Sequence, residues 1–187
     1  MKAEARWACA TFDLLSETIA NTLCIEIRMF WNRKDSPDAD AYVRRIHQIM
    51  LFATALAGKN KPQATKALRD GLGIRIEDVE DSENRTWADS TIDDLTVSFS
   101  LDFNNPILVS QIQITGYGVI DGLIICANGL ERAEPRKVNF NVDVVEHRTR
   151  PTPALARTVG EKLMHHPDFE CESFGTMNIL RQRNRNR

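Results

Sequence analysis

The segment that most constrains the fold is LTVSFSLDF at residues 95–103, where apolar and polar side chains alternate without a break. Successive side chains of a strand point to opposite faces of a sheet, so this pattern predicts a strand with one buried and one wet side. Three later segments also have strand character: residues 108–114, LIIC at 123–126 and KVNFNVDVV at 137–145. Turn-forming residues separate the segments, as NNP does at 104–106. The sequence therefore predicts a four-stranded antiparallel sheet.

Helical periodicity dominates the first seventy residues. Apolar side chains recur every three or four positions over residues 3–33, which predicts a long amphipathic helix. Ser36-Pro37, followed by two aspartates, predicts the start of a second long helix that ends at Gly58. A short third helix is expected to begin at Pro62 and to end by Gly73.

A further helix is predicted after the sheet, because Thr152-Pro153 combines a capping hydroxyl with a proline at the helix start. The expected fold is α+β: an N-terminal helical layer of two long helices and one short, the four-stranded antiparallel sheet, a C-terminal helix packed on the sheet, and a basic tail. Residues 1–180 are predicted to form a single domain with a helical part at 3–73 and a sheet and helix part at 95–166. Residues 181–187 are predicted to be a flexible basic tail.

Charge is unevenly distributed along the chain, although the formal net charge is only −2. Residues 73–106 carry nine acidic residues and two arginines, whereas residues 148–187 carry eight basic and four acidic residues. In the terminal NILRQRNRNR, arginines alternate with amide side chains. Arginines neutralise phosphates, so binding of RNA or DNA through this arm is one hypothesis, and contact with the acidic segment is another. The residues predicted to bind nucleic acid are Arg181, Arg183, Arg185 and Arg187.

The sequence lacks the motifs that mark the common classes of enzyme. The chain contains no GxGxxG, GxxxxGK[ST], GxSxG or HExxH, and its four cysteines lack the CxxC spacing of zinc sites. We therefore expect no catalytic residue, no cofactor and no metal. No apolar run reaches membrane-spanning length and no signal peptide is evident, so we expect a cytoplasmic protein without a membrane partner.

The densest group of metal-capable side chains in the sequence is His165 and His166, followed by Asp168 and Cys171. Their spacing is not one that zinc sites use. The favoured interpretation is that both histidines cap the end of the preceding helix, where they face its last carbonyl groups. An enzyme with an unrecognised site near His165, His166 and Asp168 is the alternative.

The leading hypothesis is a non-enzymatic interaction or assembly module that self-associates. The N-terminal helix carries large aromatic side chains, and its apolar surface is larger than one small sheet can cover. A homo-oligomer or a protein partner would cover this surface. The predicted interface residues are Trp7, Phe12, Phe30 and Trp31.

Overall fold

The computed structural model describes residues 38–76, 85–134, 137–146, 151–174 and 177–183. The helix predicted over residues 3–33, its four aromatic interface residues and most of the acidic segment before residue 85 lie outside these ranges. Arg185 and Arg187 lie outside them as well. Predictions that depend on those residues stay predictions.

The described chain is an α+β protein with three α-helices and seven strands. The helices are α1 (Ala39–Leu56), α2 (Lys61–Leu72) and α3 (Ala154–Met164). The strands are β1 (Arg85–Ile92), β2 (Leu95–Asp102), β3 (Val109–Gly116), β4 (Leu123–Asn128), β5 (Asn139–Val144), β6 (Phe169–Phe174) and β7 (Met177–Gln182). None of the helices within these ranges combines the length and the apolar character that a membrane span needs.

All seven strands belong to one antiparallel sheet with the order β1-β2-β3-β4-β5-β7-β6. Helix α3 connects β5 to β6, and β7 returns between them. Strands β1 and β6 form the two edges of this mostly open sheet. The prediction of a four-stranded sheet with a long helical layer is therefore wrong, although strands do form at the four segments chosen from the sequence.

Strand β1 was not predicted, because its buried side carries few apolar residues, and one of them is small. Ala88 and Ile92 are buried, whereas Trp87 is 46% exposed on the other side of the strand. Propensity assigns such a polar segment to a loop, and pairing with β2 over its whole length makes it a strand. Tertiary pairing overrode the local signal.

Strands β6 and β7 were missed for a similar reason. Phe169 and Leu180 are buried to 2% and 0% exposure and are the apolar anchors of this pair. Met177 and Ile179, the other apolar residues of β7, stay at least partly exposed, but the strand bonds to β5 on one side and to β6 on the other. Arg181, predicted to belong to a flexible tail, therefore lies within a strand. The alternation of arginine with amide residues starts at Arg181 and Gln182, inside a strand, where successive side chains point to opposite faces.

Helices α1, α2 and α3 lie at three of the helical segments that the sequence predicts. At the start of α1, the Asp38 side chain accepts a hydrogen bond from the Ala41 amide at 2.6 Å, whereas Ser36, the predicted cap, lies outside the described residues. Asn60 caps α2 in the same way, and Gly73 ends α2 at a positive φ of 69°.

The core lies between the helices and one face of the sheet. The inward residues of β2 are 0% exposed, and Phe99 among them meets Phe52 of α1 edge to face at a ring distance of 6.4 Å. Gly160 lets α3 approach β5, since a Cβ there would lie 2.7 Å from Val144 Cγ2. The opposite side, which we call the outer face, carries Thr96, Ser98, Asn139, Asn141 and Asp143, as predicted from the alternation. Helices α1 and α3 thus pack side by side on the inner face, next to β6.

Candidate functional site

Three metal-capable side chains meet where α1, the end of α3 and the start of β6 come together. His47 lies on α1, directly after the fully buried Ile46. His166 follows the last residue of α3 by two positions, and Asp168 immediately precedes β6. Packing of α1 against α3 therefore brings His47 to the loop that carries the other two. We call His47, His166 and Asp168 the histidine junction.

The ligand atoms of the histidine junction converge. His47 Nε2 lies 3.2 Å from Asp168 Oδ2. The imidazole rings of His47 and His166 have centroids 4.3 Å apart and planes inclined by 34°. One ligand atom from each of the three side chains lies within 4.8 Å of the other two. This is the one such group of three among the residues that the structure describes.

An apolar residue and two hydrogen bonds from backbone amides hold the residues of the histidine junction in place. The buried Phe169 ring contacts His47 edge to face at 5.4 Å and lies 5.7 Å from the His166 ring. The Asp168 amide donates to His166 Nδ1 at 3.3 Å, and the Arg183 amide donates to the Asp168 carbonyl oxygen at 2.8 Å. The junction is therefore anchored to the core through Phe169 and to the end of β7 through Asp168.

His165 stays outside the histidine junction although it is the sequence neighbour of His166. Its side chain is exposed, and Nδ1 lies 2.8 Å from the carbonyl oxygen of Glu161 in the last turn of α3. The capping role predicted for both histidines therefore describes His165, whereas the His166 ring turns toward α1. The third member, His47, comes from a helix distant in sequence, so no local motif includes it. Its signal in the sequence was a histidine directly beside the apolar stripe of α1.

The distances between the three side chains and the types of their donor atoms suit a transition-metal ion. At metal–ligand distances of about 2.0–2.2 Å, tetrahedral or octahedral geometry places neighbouring ligand atoms about 3.0–3.5 Å apart. The distance of 3.2 Å between His47 Nε2 and Asp168 Oδ2 already lies in this range. The three ligand atoms lie within 4.8 Å of one another, and rotation about one side-chain torsion can bring them closer. Two imidazoles with one carboxylate suit zinc or ferrous iron, whereas calcium and magnesium favour all-oxygen sites.

A second polar contact joins α1 to the β1–β2 turn. Tyr42 donates its hydroxyl to Asp94 Oδ2 at 2.7 Å, and Arg45 forms an ion pair with Asp93. Burial and the bond to Asp94 raise the pKa of Tyr42 to about 12. We call these four residues the hairpin junction. Its donors and acceptors complement one another, so its chemistry is that of a structural contact.

The arginines predicted to bind nucleic acid are only partly described. Arg181 is exposed on β7 and donates to Asn139 Oδ1 at 2.9 Å and to Glu172 Oε1 at 3.1 Å. Arg183 follows the strand and is exposed. The nearby carboxylate of Glu172 offsets the charge of Arg181, which weakens it as a phosphate ligand. Nucleic-acid binding by this arm stays a prediction.

The described cysteines do not join the histidine junction. Cys171 is exposed on the edge strand β6. Cys126 lies half-buried on β4, and burial together with the nearby Asp143 raises the pKa of its thiol. A raised pKa leaves little thiolate at neutral pH, which is the opposite of what a nucleophilic or metal-ligating cysteine needs.

No protein-family model, no curated protein and no solved structure matches this chain, so the geometry of the histidine junction carries the functional argument.

Proposed function

We propose that this protein binds a divalent transition-metal ion at the histidine junction. The ligands are one ring nitrogen each of His47 and His166 and a carboxylate oxygen of Asp168. The observation that carries the proposal is the convergence of these three ligand atoms within 4.8 Å of one another. They come from two separate parts of the chain, and the packing of α1 on α3 brings them together.

A cation accounts for this arrangement better than a proton does. A proton between His47 and Asp168 links only those two side chains, whereas a divalent cation links all three. The side chains of His47 and Asp168 are only 15% and 21% exposed, so water screens their interaction weakly. In such a setting a metal ion gathers both imidazoles and the carboxylate in one contact.

The proposed ion also has a structural consequence. It joins α1 to the loop that leads into β6, and so it connects the helical layer to one edge of the sheet. Because the ion binds the folded chain and not the unfolded one, its binding free energy adds to folding stability.

Direct titration tests the proposal. The full-length protein is stripped with a chelator, dialysed, and titrated with Zn²⁺ or Co²⁺ in a calorimeter. We expect one ion per chain. His47→Ala, His166→Ala and Asp168→Asn each lose a direct ligand, so we expect at least the roughly 100-fold weaker binding that is the upper range for outer-shell partners.

His165→Ala is the matched control, because it removes the neighbouring histidine that lies outside the histidine junction. Its affinity should match that of the parent protein, since the exposed His165 is not one of the three ligands. Circular dichroism of every variant, with His47→Gln as a second substitution at that position, shows that the fold is kept. No ion uptake by the parent, or equal affinities for His165→Ala and His166→Ala, would contradict the proposal.

We also propose, as a second function, that the chain self-associates, and β1 offers a described surface for this. Among the described residues β1 pairs with β2 alone. It carries the charged residues Arg85 and Asp89 but neither lysine nor proline, the residues that most often block an edge strand. Trp87 stands exposed on its outer face. A second copy adding its own β1 would extend the sheet across a twofold axis.

Light scattering on a sizing column at several protein concentrations tests this second proposal. Trp87→Lys should shift the mass toward the monomer, whereas Tyr117→Lys changes an aromatic residue of similar exposure, 51%, outside the strands. A monomeric mass for the parent at every concentration would refute self-association.

A further inference from the structure

We infer that the ion at the histidine junction keeps a coordination position open to a small exogenous anion, so that the centre binds a ligand instead of serving only as a closed structural site. This inference rests on the proposed metal binding. It adds a ligand class: monoanions with an oxygen or nitrogen donor, such as a carboxylate or azide.

The number of protein ligands is the first reason. Closed structural zinc sites use four protein side chains, whereas open sites use three and leave the remaining position to water or substrate. Within the described part of the chain, no fourth histidine, cysteine, aspartate or glutamate joins the group. Three ligands leave one position of a tetrahedral ion to solvent, and three positions of an octahedral one.

Access to the histidine junction is the second reason. Phe169 is 2% exposed and contacts both histidine rings, so it closes the inner side. His47 and Asp168 keep 15% and 21% of their side-chain surface exposed, and His166 is also partly exposed. His47 Nε2 itself is buried, so a small molecule would reach the ion from the side of Asp168 and His166.

Charge is the third reason, and it selects the ligand class. A divalent ion with two neutral imidazoles and one carboxylate has a net charge of +1. The ion pair that joins α1 to α3, Asp40 with Lys162 at 2.6 Å, is balanced and adds no net charge. A monoanion neutralises the remaining positive charge, and at a partly desolvated ion this attraction is stronger than in water.

The hydrogen bond from the Asp168 amide to His166 Nδ1 supplies an independent readout of metal binding. A neutral imidazole that accepts at Nδ1 carries its proton on Nε2. Coordination through Nε2 moves that proton to Nδ1, and coordination through Nδ1 displaces the amide. Either route breaks the bond at 3.3 Å, so the amide resonance of Asp168 should shift when the ion binds.

Cobalt substitution followed by azide titration tests the inference. Co²⁺ has visible d–d bands that respond to a change of ligand. We expect the bands to shift and to saturate at one azide per cobalt, and the His165→Ala control to behave like the parent. The Asp168→Asn protein should show no such bands at the same cobalt concentration.

The outcomes separate the two proposals. If Co²⁺ binds, shifts the Asp168 amide and depends on all three ligands, but saturating azide leaves the bands unchanged, the open position is refuted and metal binding stands. If Co²⁺ does not bind, or if it binds equally to Asp168→Asn, both proposals fail. A shift of the bands that also occurs in Asp168→Asn would place the responding ion elsewhere and overturn the inference.

Discussion

Two of the polar contacts that helix α1 makes with distant parts of the chain differ in kind. In the hairpin junction, a hydroxyl and a guanidinium meet two carboxylates, so every donor faces an acceptor. In the histidine junction, two imidazoles and a carboxylate converge, and all three are groups that metals bind. Donors and acceptors stabilise one another directly, whereas converging metal ligands are stabilised most by a cation placed between them.

The largest expected effect concerns the dependence of stability on metal. Zinc at about 100 times its dissociation constant should add about 2.7 kcal/mol to the free energy of unfolding, which for a chain of this size raises Tm by about 5–10 °C. Thermal melts with zinc and with chelator measure the difference. Asp168→Asn should lose it, while Asp94→Ala in the hairpin junction should keep it. A zinc effect that survives in Asp168→Asn would mean that the stabilising ion binds outside the histidine junction.

The next effect is the loss of the acceptor in the hairpin junction. Asp94→Ala leaves the buried hydroxyl of Tyr42 without this partner, which should cost about 2 kcal/mol in chemical unfolding. The cost should be the same with zinc and with chelator. A cost that depended on zinc would mean that the two junctions are coupled through α1.

Removal of the donor, the Tyr42 hydroxyl, should lower the free energy of unfolding by less. It should also change how stability depends on pH in the alkaline range. Tyr42→Phe removes the donor and leaves the acceptor Asp94, which is partly exposed and can bond water instead, so we expect about 1 kcal/mol. Because folding raises the pKa of Tyr42 from 10.0 to about 12, its contribution is complete below pH 10 and is lost as the pH rises through 12. Unfolding between pH 9 and 12, a window set by these pKa values, should therefore show a decline in the parent that is weaker in the variant.

The smallest effect belongs to the exposed ion pair of Asp40 and Lys162, which links α1 to α3 outside both junctions. Surface pairs contribute little, so Lys162→Met should change Tm the least of these variants. The hydrogen bond and the charge of Lys162 lower the pKa of Asp40. This contribution is present above pH 3.8 and disappears as the pH falls through the lowered pKa, so only acid unfolding should reveal it.

Much of the fold was predictable where the local pattern was strong. Residues 95–103 alternate strictly, and the inward set of β2 is buried as expected. Strands β1 and β7 were not predictable, because they contribute few buried apolar side chains and owe their conformation to hydrogen bonds with β2, β5 and β6. For the same reason Arg181 belongs to the sheet and not to the tail.

The candidate site was half predictable. The sequence placed His166 and Asp168 near each other after a helix, and it assigned a capping role that holds for His165. It could not select between the two adjacent histidines, because the direction of each ring depends on what packs against the end of α3. Nor could it include His47, which only the packing of α1 beside α3 brings within reach.

The amino-acid sequence alone predicts the positions of the three described helices and of four strands, because helical and strand periodicities are local properties of apolar spacing. It also determined which side of those strands is buried. Tertiary structure alone decided the width of the sheet, since edge strands gain their hydrogen bonds from neighbours. It alone also decided the histidine junction, because convergence of three ligand atoms depends on distances between elements that no spacing along the chain encodes.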